Sequence, residues 1–177
     1  MNRIESDPRA TAGFAKRSIG LALALWLGGG ATLAGAVTCG LSTAGLPFGA
    51  YDVFASGVVN GSATLTIACS FQSGVDTGNT PVSYKLSMST GSSNSFVQRQ
   101  MKSGTNVLGY NLYTSNAYST VWGDGTGSTS TVSGSLSVNP GHPTASNQHT
   151  VYGQIPALQD VGVANDYKDN VTVTATY

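Results

Sequence analysis

The stretch Asp169-Asn170-Val171-Thr172-Val173-Thr174-Ala175-Thr176-Tyr177 alternates apolar and hydroxylated side chains. A strand repeats every two residues, so Val171, Val173, Ala175 and Tyr177 fall on one face of a sheet and the threonines on the other. β-Branched residues fill most of the stretch, and they fit a pleated, half-buried surface. A strand divided in this way belongs either to a core or to a sheet edge that something must cover. The same alternation returns at Ala63, Leu65, Ile67 and Cys69, at Val82, Tyr84, Leu86 and Met88, and at Val132, Leu136 and Val138, where Gly134 interrupts it. Further extended pieces are expected at 48–54, with Phe48, Tyr51 and Phe54 as aromatic anchors, and at 96–101, 107–113 and 150–155.

Turn chemistry separates these pieces. Asn60-Gly61 is a hairpin signal inside a turn region at 57–61. A loop is expected at 74–81, a turn at Ser103-Gly104, and another at Gly123-Asp124-Gly125-Thr126-Gly127. A longer loop at 139–148 carries Pro140 and Pro143. Beyond residue 36 no segment of ten residues shows a 3.6-residue period. Short strands at this spacing predict an all-β, two-sheet sandwich.

The first 36 residues read as a secretory signal. Arg9, Lys16 and Arg17 precede the apolar run Ile19-Gly20-Leu21-Ala22-Leu23-Ala24-Leu25-Trp26-Leu27, and Ala34-Gly35-Ala36 is a small-x-small site with cleavage expected after Ala36. The run is too short to span about 30 Å of hydrocarbon, so no membrane span is expected in the mature chain. Removing 36 of the 177 residues leaves 141, one domain at 37–177 with a core of ordinary size.

That domain keeps four basic residues (Lys85, Arg99, Lys102, Lys168) against six acidic ones (Asp52, Asp76, Asp124, Asp160, Asp166, Asp169), a formal charge of −2. A nucleic-acid partner needs clustered Lys and Arg, and these are absent from the sequence. Both cysteines, Cys39 and Cys69, survive cleavage and most simply form one disulfide in an oxidising compartment. In the chain-entropy model such a closure is worth roughly 3–4 kcal/mol.

Constellations for chemistry are sparse, and no catalytic residue, metal site or cofactor is expected. Asp76-Thr77-Gly78 has the form of an aspartic-protease triplet, but that chemistry needs two carboxylates sharing a proton and the chain holds one copy. His142 and His149 lack a carboxylate or cysteine at ligand spacing and read as solvated loop residues. Asp124 among glycines is one carboxylate, short of a calcium set, and reads as a turn that lets Trp122 pack. Asn60-Gly61-Ser62 and Asn170-Val171-Thr172 match the glycosylation acceptor pattern and receive no functional weight. Tyr51, Trp122 and Tyr152 are expected in the core rather than as ligand-stacking aromatics.

Pieces spread along the chain carry a resemblance. They are Leu46-Pro47-Phe48-Gly49-Ala50-Tyr51-Asp52-Val53-Phe54, the strand ending at Cys69, Tyr84-Lys85-Leu86-Ser87-Met88-Ser89-Thr90-Gly91 and Arg99-Gln100-Met101. They continue through Leu108-Gly109-Tyr110-Asn111-Leu112-Tyr113-Thr114, Val121-Trp122-Gly123-Asp124-Gly125-Thr126-Gly127, Thr150-Val151-Tyr152-Gly153-Gln154-Ile155-Pro156 and the stretch from Tyr167 to Tyr177. In this order they resemble the spore coat protein U domain, the subunit domain of archaic chaperone–usher pili.

The resemblance implies an immunoglobulin-like β-sandwich that lacks one strand and is completed by donor-strand addition. It implies a structural subunit of a pilus or of a cell-surface or spore coat, secreted to the periplasm and then displayed outside. The implied partners are a periplasmic chaperone, an outer-membrane usher and other pilus or coat subunits. Val171, Val173, Ala175 and Tyr177 would form the strand that binds subunit or chaperone. One feature departs from the family: cleavage after Ala36 leaves only Val37-Thr38 ahead of Cys39, too little for a donor strand. Such a subunit would accept a strand without giving one, at a pilus tip or in a coat. The alternative is a self-complete adhesin-type module using loops such as 90–95 or 139–148, which would need an exposed apolar patch there.

Overall fold

The computed structural model describes residues 37–71 and 80–177. Among these, eight strands run in the order β1 (Thr38–Thr43), β2 (Val59–Ser70), β3 (Thr80–Met88), β4 (Arg99–Ser103), β5 (Asn106–Tyr113), β6 (Val132–Val138), β7 (Thr144–Ile155) and β8 (Val173–Thr176), with one 3-10 turn at Gly91–Ser93. They form two antiparallel sheets, β1-β2-β7-β5-β4 and β6-β3-β8. The signal-peptide reading of residues 1–36 and the Asp76-Thr77-Gly78 triplet lie outside the described residues.

Period-two alternation builds the core from both sheets. Leu65, Ile67 and Cys69 of β2, Leu108, Tyr110 and Leu112 of β5, and Val151 and Ile155 of β7 pack against Val82, Tyr84, Leu86 and Met88 of β3 and Leu136 and Val138 of β6. Trp122 is fully buried between them, and its indole N–H donates to the Leu86 carbonyl at 3.1 Å. The glycines after it turn as expected: the Asp124 carboxylate accepts the backbone N–H and the hydroxyl of Thr126, which hold its pKa below the usual carboxylate range. The opposite face of β1, β2 and β7 carries Thr38, Ser42, Ser62, Thr64, Ser70, Thr144, Ser146, Gln148 and Thr150, with no acidic or basic residue among them.

The disulfide joins Cys39 to Cys69 across directly opposed residues of β1 and β2, so it staples the edge strand to its neighbour. That strand was not legible in the sequence. Gly40 breaks its pattern, and the extended piece expected at 48–54 has no strand. Instead, Leu46 and Phe48 lie over Gly61 and Gly153, which face each other in the β2–β7 register. A Cβ at Gly61 would stand 2.6 Å from the Pro47 carbonyl oxygen, and one at Gly153 would stand 2.6 Å from the Phe48 ring. Asn60-Gly61 is therefore strand, not hairpin turn: the glycine marks a close approach. Of the three expected anchors, Phe48 stacks edge-on to Tyr110 and Tyr51 hydrogen-bonds the Pro156 carbonyl, but Phe54 is 89% exposed.

The loop expected at 139–148 is also shorter than its composition implies. Asn139 and His142 close a turn through paired backbone bonds, and β7 then begins at Thr144. Twelve register pairs with β2 outweigh the polar residues. The inward positions Asn147 and His149 are polar because the buried Tyr84 hydroxyl meets both: it accepts from Asn147 Nδ2 at 2.9 Å and lies 2.8 Å from His149 Nε2. His149 is thus a half-buried strand residue, not a solvated loop one, and burial pushes its pKa down.

Candidate functional site

Strand β8 pairs with β3 alone, through Val173↔Met88, Thr174↔Ser87, Ala175↔Leu86 and Thr176↔Lys85. The Ser89 N–H donates to the Thr172 carbonyl at 2.9 Å, so Thr172 belongs to the hydrogen-bonded positions of this ladder. In an antiparallel pair these positions alternate, which turns the backbone groups of Thr174 and Thr176 toward β3. Those of Val173 and Ala175 point to the other side, where β8 has no neighbouring strand among the described residues. The residues whose side chains face inward thus carry the unpaired backbone edge. Tyr177 differs: it is exposed, and its hydroxyl accepts the Cys39 N–H of β1 at 3.2 Å, linking the end of β8 to the β1 edge.

Beside that edge lies an apolar cleft holding a cavity of about 280 Å³. Leu65, Val151, Tyr110, Leu112 and Met101 come from one sheet, Met88 and Val173 from the other, and Leu46 and Phe48 rim it. A second cavity of about 780 Å³ shares Leu46, Phe48, Met101 and Tyr167 with the first, so the two are contiguous. Phe54 and the fully exposed Val163 stand at its mouth.

A polar cluster closes one end of the cleft. Arg99 is 0% exposed and donates to the Ser89 carbonyl from Nε at 3.0 Å and Nη2 at 2.8 Å, to the Trp122 carbonyl at 2.7 Å, and to Asn111 Oδ1 at 2.7 Å. Burial lowers its pKa, and the neighbouring Tyr110 and Asp169 oppose that. Because the guanidinium occupies the Ser89 carbonyl, the Thr172 N–H turns to Ser89 Oγ at 2.9 Å and the β3–β8 ladder ends. Upstream, Lys168 pairs by backbone with Lys102 of β4. The Asp169 carboxylate accepts the Tyr110 hydroxyl at 2.7 Å and the Ser92 N–H at 2.9 Å. Burial first, then this bond, raises the Tyr110 pKa. The chain therefore crosses from β4 to β8 at residues 168–172.

Of the residues that sequence reading placed together, Val173 and Ala175 lie in β8 with half-buried side chains, Val171 precedes the strand and lines the cavity, and Tyr177 follows it and is exposed. That reading missed Arg99. The available signal was parity, since Arg99 shares its face of β4 with Met101 and faces Tyr110 in register. Among the described residues no group of three His, Cys, Asp or Glu could hold a metal ion. The 90–95 loop is pinned by Ser93 Oγ, which donates to Thr90 and Ser95 carbonyls, and shows no apolar patch. What the site offers a partner is backbone edge and apolar surface.

Fold and site together define a two-sheet β-sandwich in which the β8 edge lies beside an apolar cleft. The family model described as Spore Coat Protein U domain matches residues 30–174, and the chain belongs to that family. Among solved structures it is similar to a chain in the crystal structure of the CsuC-CsuE chaperone-tip adhesion subunit pre-assembly complex from archaic chaperone-usher Csu pili of Acinetobacter baumannii, with 21% identity and a TM-score of 0.45. The match covers 80% of this chain and 40% of that one. No curated protein matches the chain.

Proposed function

We propose that the chain is a structural subunit of a chaperone–usher pilus or surface coat, and that the free edge of β8 receives a strand from a partner. The observation that carries this reading is the coincidence of an unpaired backbone edge at Val173 and Ala175 with an apolar cleft lined from both sheets. A strand laid along β8 would satisfy the edge by main-chain hydrogen bonds and fill the cleft with alternate side chains. The first occupant would be a periplasmic chaperone and the second a neighbouring subunit, with an usher handling export and the assembled chain at the cell surface. The cysteine pair, already joined, fits an oxidising compartment.

Strand β1 is held by its own β2 and by Cys39, so residues 38–43 are not free to be donated. With cleavage after Ala36 the subunit would receive a strand and give none, which fits a tip or coat position. Mass spectrometry of the mature N-terminus tests this: a start far upstream of Val37 removes it.

The reading as a whole is tested by exporting the chain to a periplasm without a chaperone. Size exclusion and a thermal melt would be compared with and without a synthetic peptide alternating valine and threonine. A low melt that the peptide raises is the expected result. A cooperatively melting monomer indifferent to the peptide would favour the second reading, a self-complete adhesive module, for which exposed Phe54 and Val163 supply the apolar surface.

A further inference from the structure

We propose that Met88 and Met101 form a methionine-oxidation site inside the cleft, and that their conversion to sulfoxides closes the cleft to an incoming strand. The proposal rests on the strand-accepting reading above. The chain has three methionines, and apart from Met1, which lies outside the described residues, these are all of them. Met88 ends β3 and Met101 lies in β4, so they reach the same cavity from opposite sheets.

Their side chains are 3% and 8% exposed, packed rather than displayed. Yet they border about 280 Å³ of open space, against the roughly 10–15 Å³ that admits a water. Hydrogen peroxide is little larger than water and enters without unfolding the chain. Unbranched thioethers adapt to irregular space, which suits positions that must repack when side chains arrive from outside. Cys39 and Cys69 are joined to each other, so among the described residues no thiol competes for the oxidant.

The chemistry is a two-electron transfer. A sulfur lone pair takes one peroxide oxygen, the O–O bond breaks, and water leaves; sulfur is oxidised and peroxide reduced. The product is a polar, chiral sulfoxide in a cleft lined by Leu65, Leu112, Val151 and Val173. The Tyr110 and Tyr167 hydroxyls that also line it already donate to Asp169 and the Gly162 carbonyl, which leaves Thr43 and Lys168 as the side-chain donors there. In the open cleft water solvates the new oxygen. An apolar strand that dries the cleft strips that water away, and the unpaired polar group opposes its entry.

The test treats the exported chain with hydrogen peroxide and follows Met88 and Met101 by peptide mass mapping, with a lysine-flanked peptide alternating valine and threonine as the strand probe. Both methionines are expected to gain one oxygen while the chain still melts cooperatively, and the bound probe is expected to protect both. The oxidised chain should bind the probe at least about tenfold more weakly. A Met88→Leu, Met101→Leu double variant, nearly volume-conserving, should show the same probe affinity before and after peroxide, whatever that affinity is. Methionines that stay unmodified until the chain unfolds, or unchanged probe affinity after both are oxidised, would overturn the proposal. An untreated chain that does not bind the probe would overturn the strand-accepting reading and this proposal with it, whereas loss of binding only after oxidation separates the two.

Discussion

Strands β2 and β8 share one sequence pattern and have opposite surroundings. Both alternate apolar and hydroxylated residues, and both turn the apolar set inward. β2 is paired on both edges, over twelve residues with β7 and six with β1, and is stapled by the disulfide. β8 is paired over four residues on one edge. Alternation reports which face a side chain takes, because that depends on the residue's own parity. It says nothing about whether a neighbour stands on either edge, because backbone N–H and C=O groups are the same for every residue.

The contrast is sharpest where stability is measured. Ile67→Ala, at the centre of β2, should lose about 3–4 kcal/mol in denaturant unfolding, since a fully buried side chain leaves a cavity. Val173→Ala, at the open edge, should lose about 1 kcal/mol or less in the isolated chain while impairing strand acceptance. Equal losses at the two sites would break the comparison.

Arg99→Met should cost a similar 3 kcal/mol or so, because it strips the Ser89 and Trp122 carbonyls of their guanidinium donor in the interior and takes one of two donors from Asn111 Oδ1. Its melt should fall as far as that of Ile67→Ala. A neutral result would show that the cluster at the cleft end is dispensable. Reducing the disulfide should remove roughly 3–4 kcal/mol at most, less where β1 stays paired, and a melt with and without reductant reads it directly.

A smaller effect follows from His149, whose burial holds it below its usual pKa and whose Nε2 lies 2.8 Å from the Tyr84 hydroxyl. The unfolded chain takes up a proton near pH 6.5 while the folded chain does not. Stability is therefore complete above that pH and falls as pH drops, until the folded ring protonates too. Melts in a pH series should show this slope, and His149→Gln should flatten it. Smallest of all, Phe54→Ser should shift the melt by no more than about 0.5 kcal/mol, since the ring is exposed.

Much of the fold was legible in the sequence because side-chain parity is local. The inward sets of β2, β3 and β6 and the final strand follow directly from alternation, as do the Gly123-Asp124-Gly125 turn and the buried Trp122. What was not legible depends on neighbours distant in sequence. Gly61 reads as a turn until Leu46 and Phe48 are seen lying over it. The residues 144–148 read as loop until twelve partners in β2 are counted, and Asn147 and His149 read as solvated until the Tyr84 hydroxyl is placed between them. At the site, the inward parity of Val173 and Ala175 was legible, whereas Arg99 was not, because its partners are mostly carbonyl oxygens, which carry no residue identity.

The outward side of β1, β2 and β7 presents hydroxyls and amides and no acidic or basic group. Ions in the surrounding water have nothing there to screen. A filament whose copies touched along that side would hold equally well in fresh water and in brine.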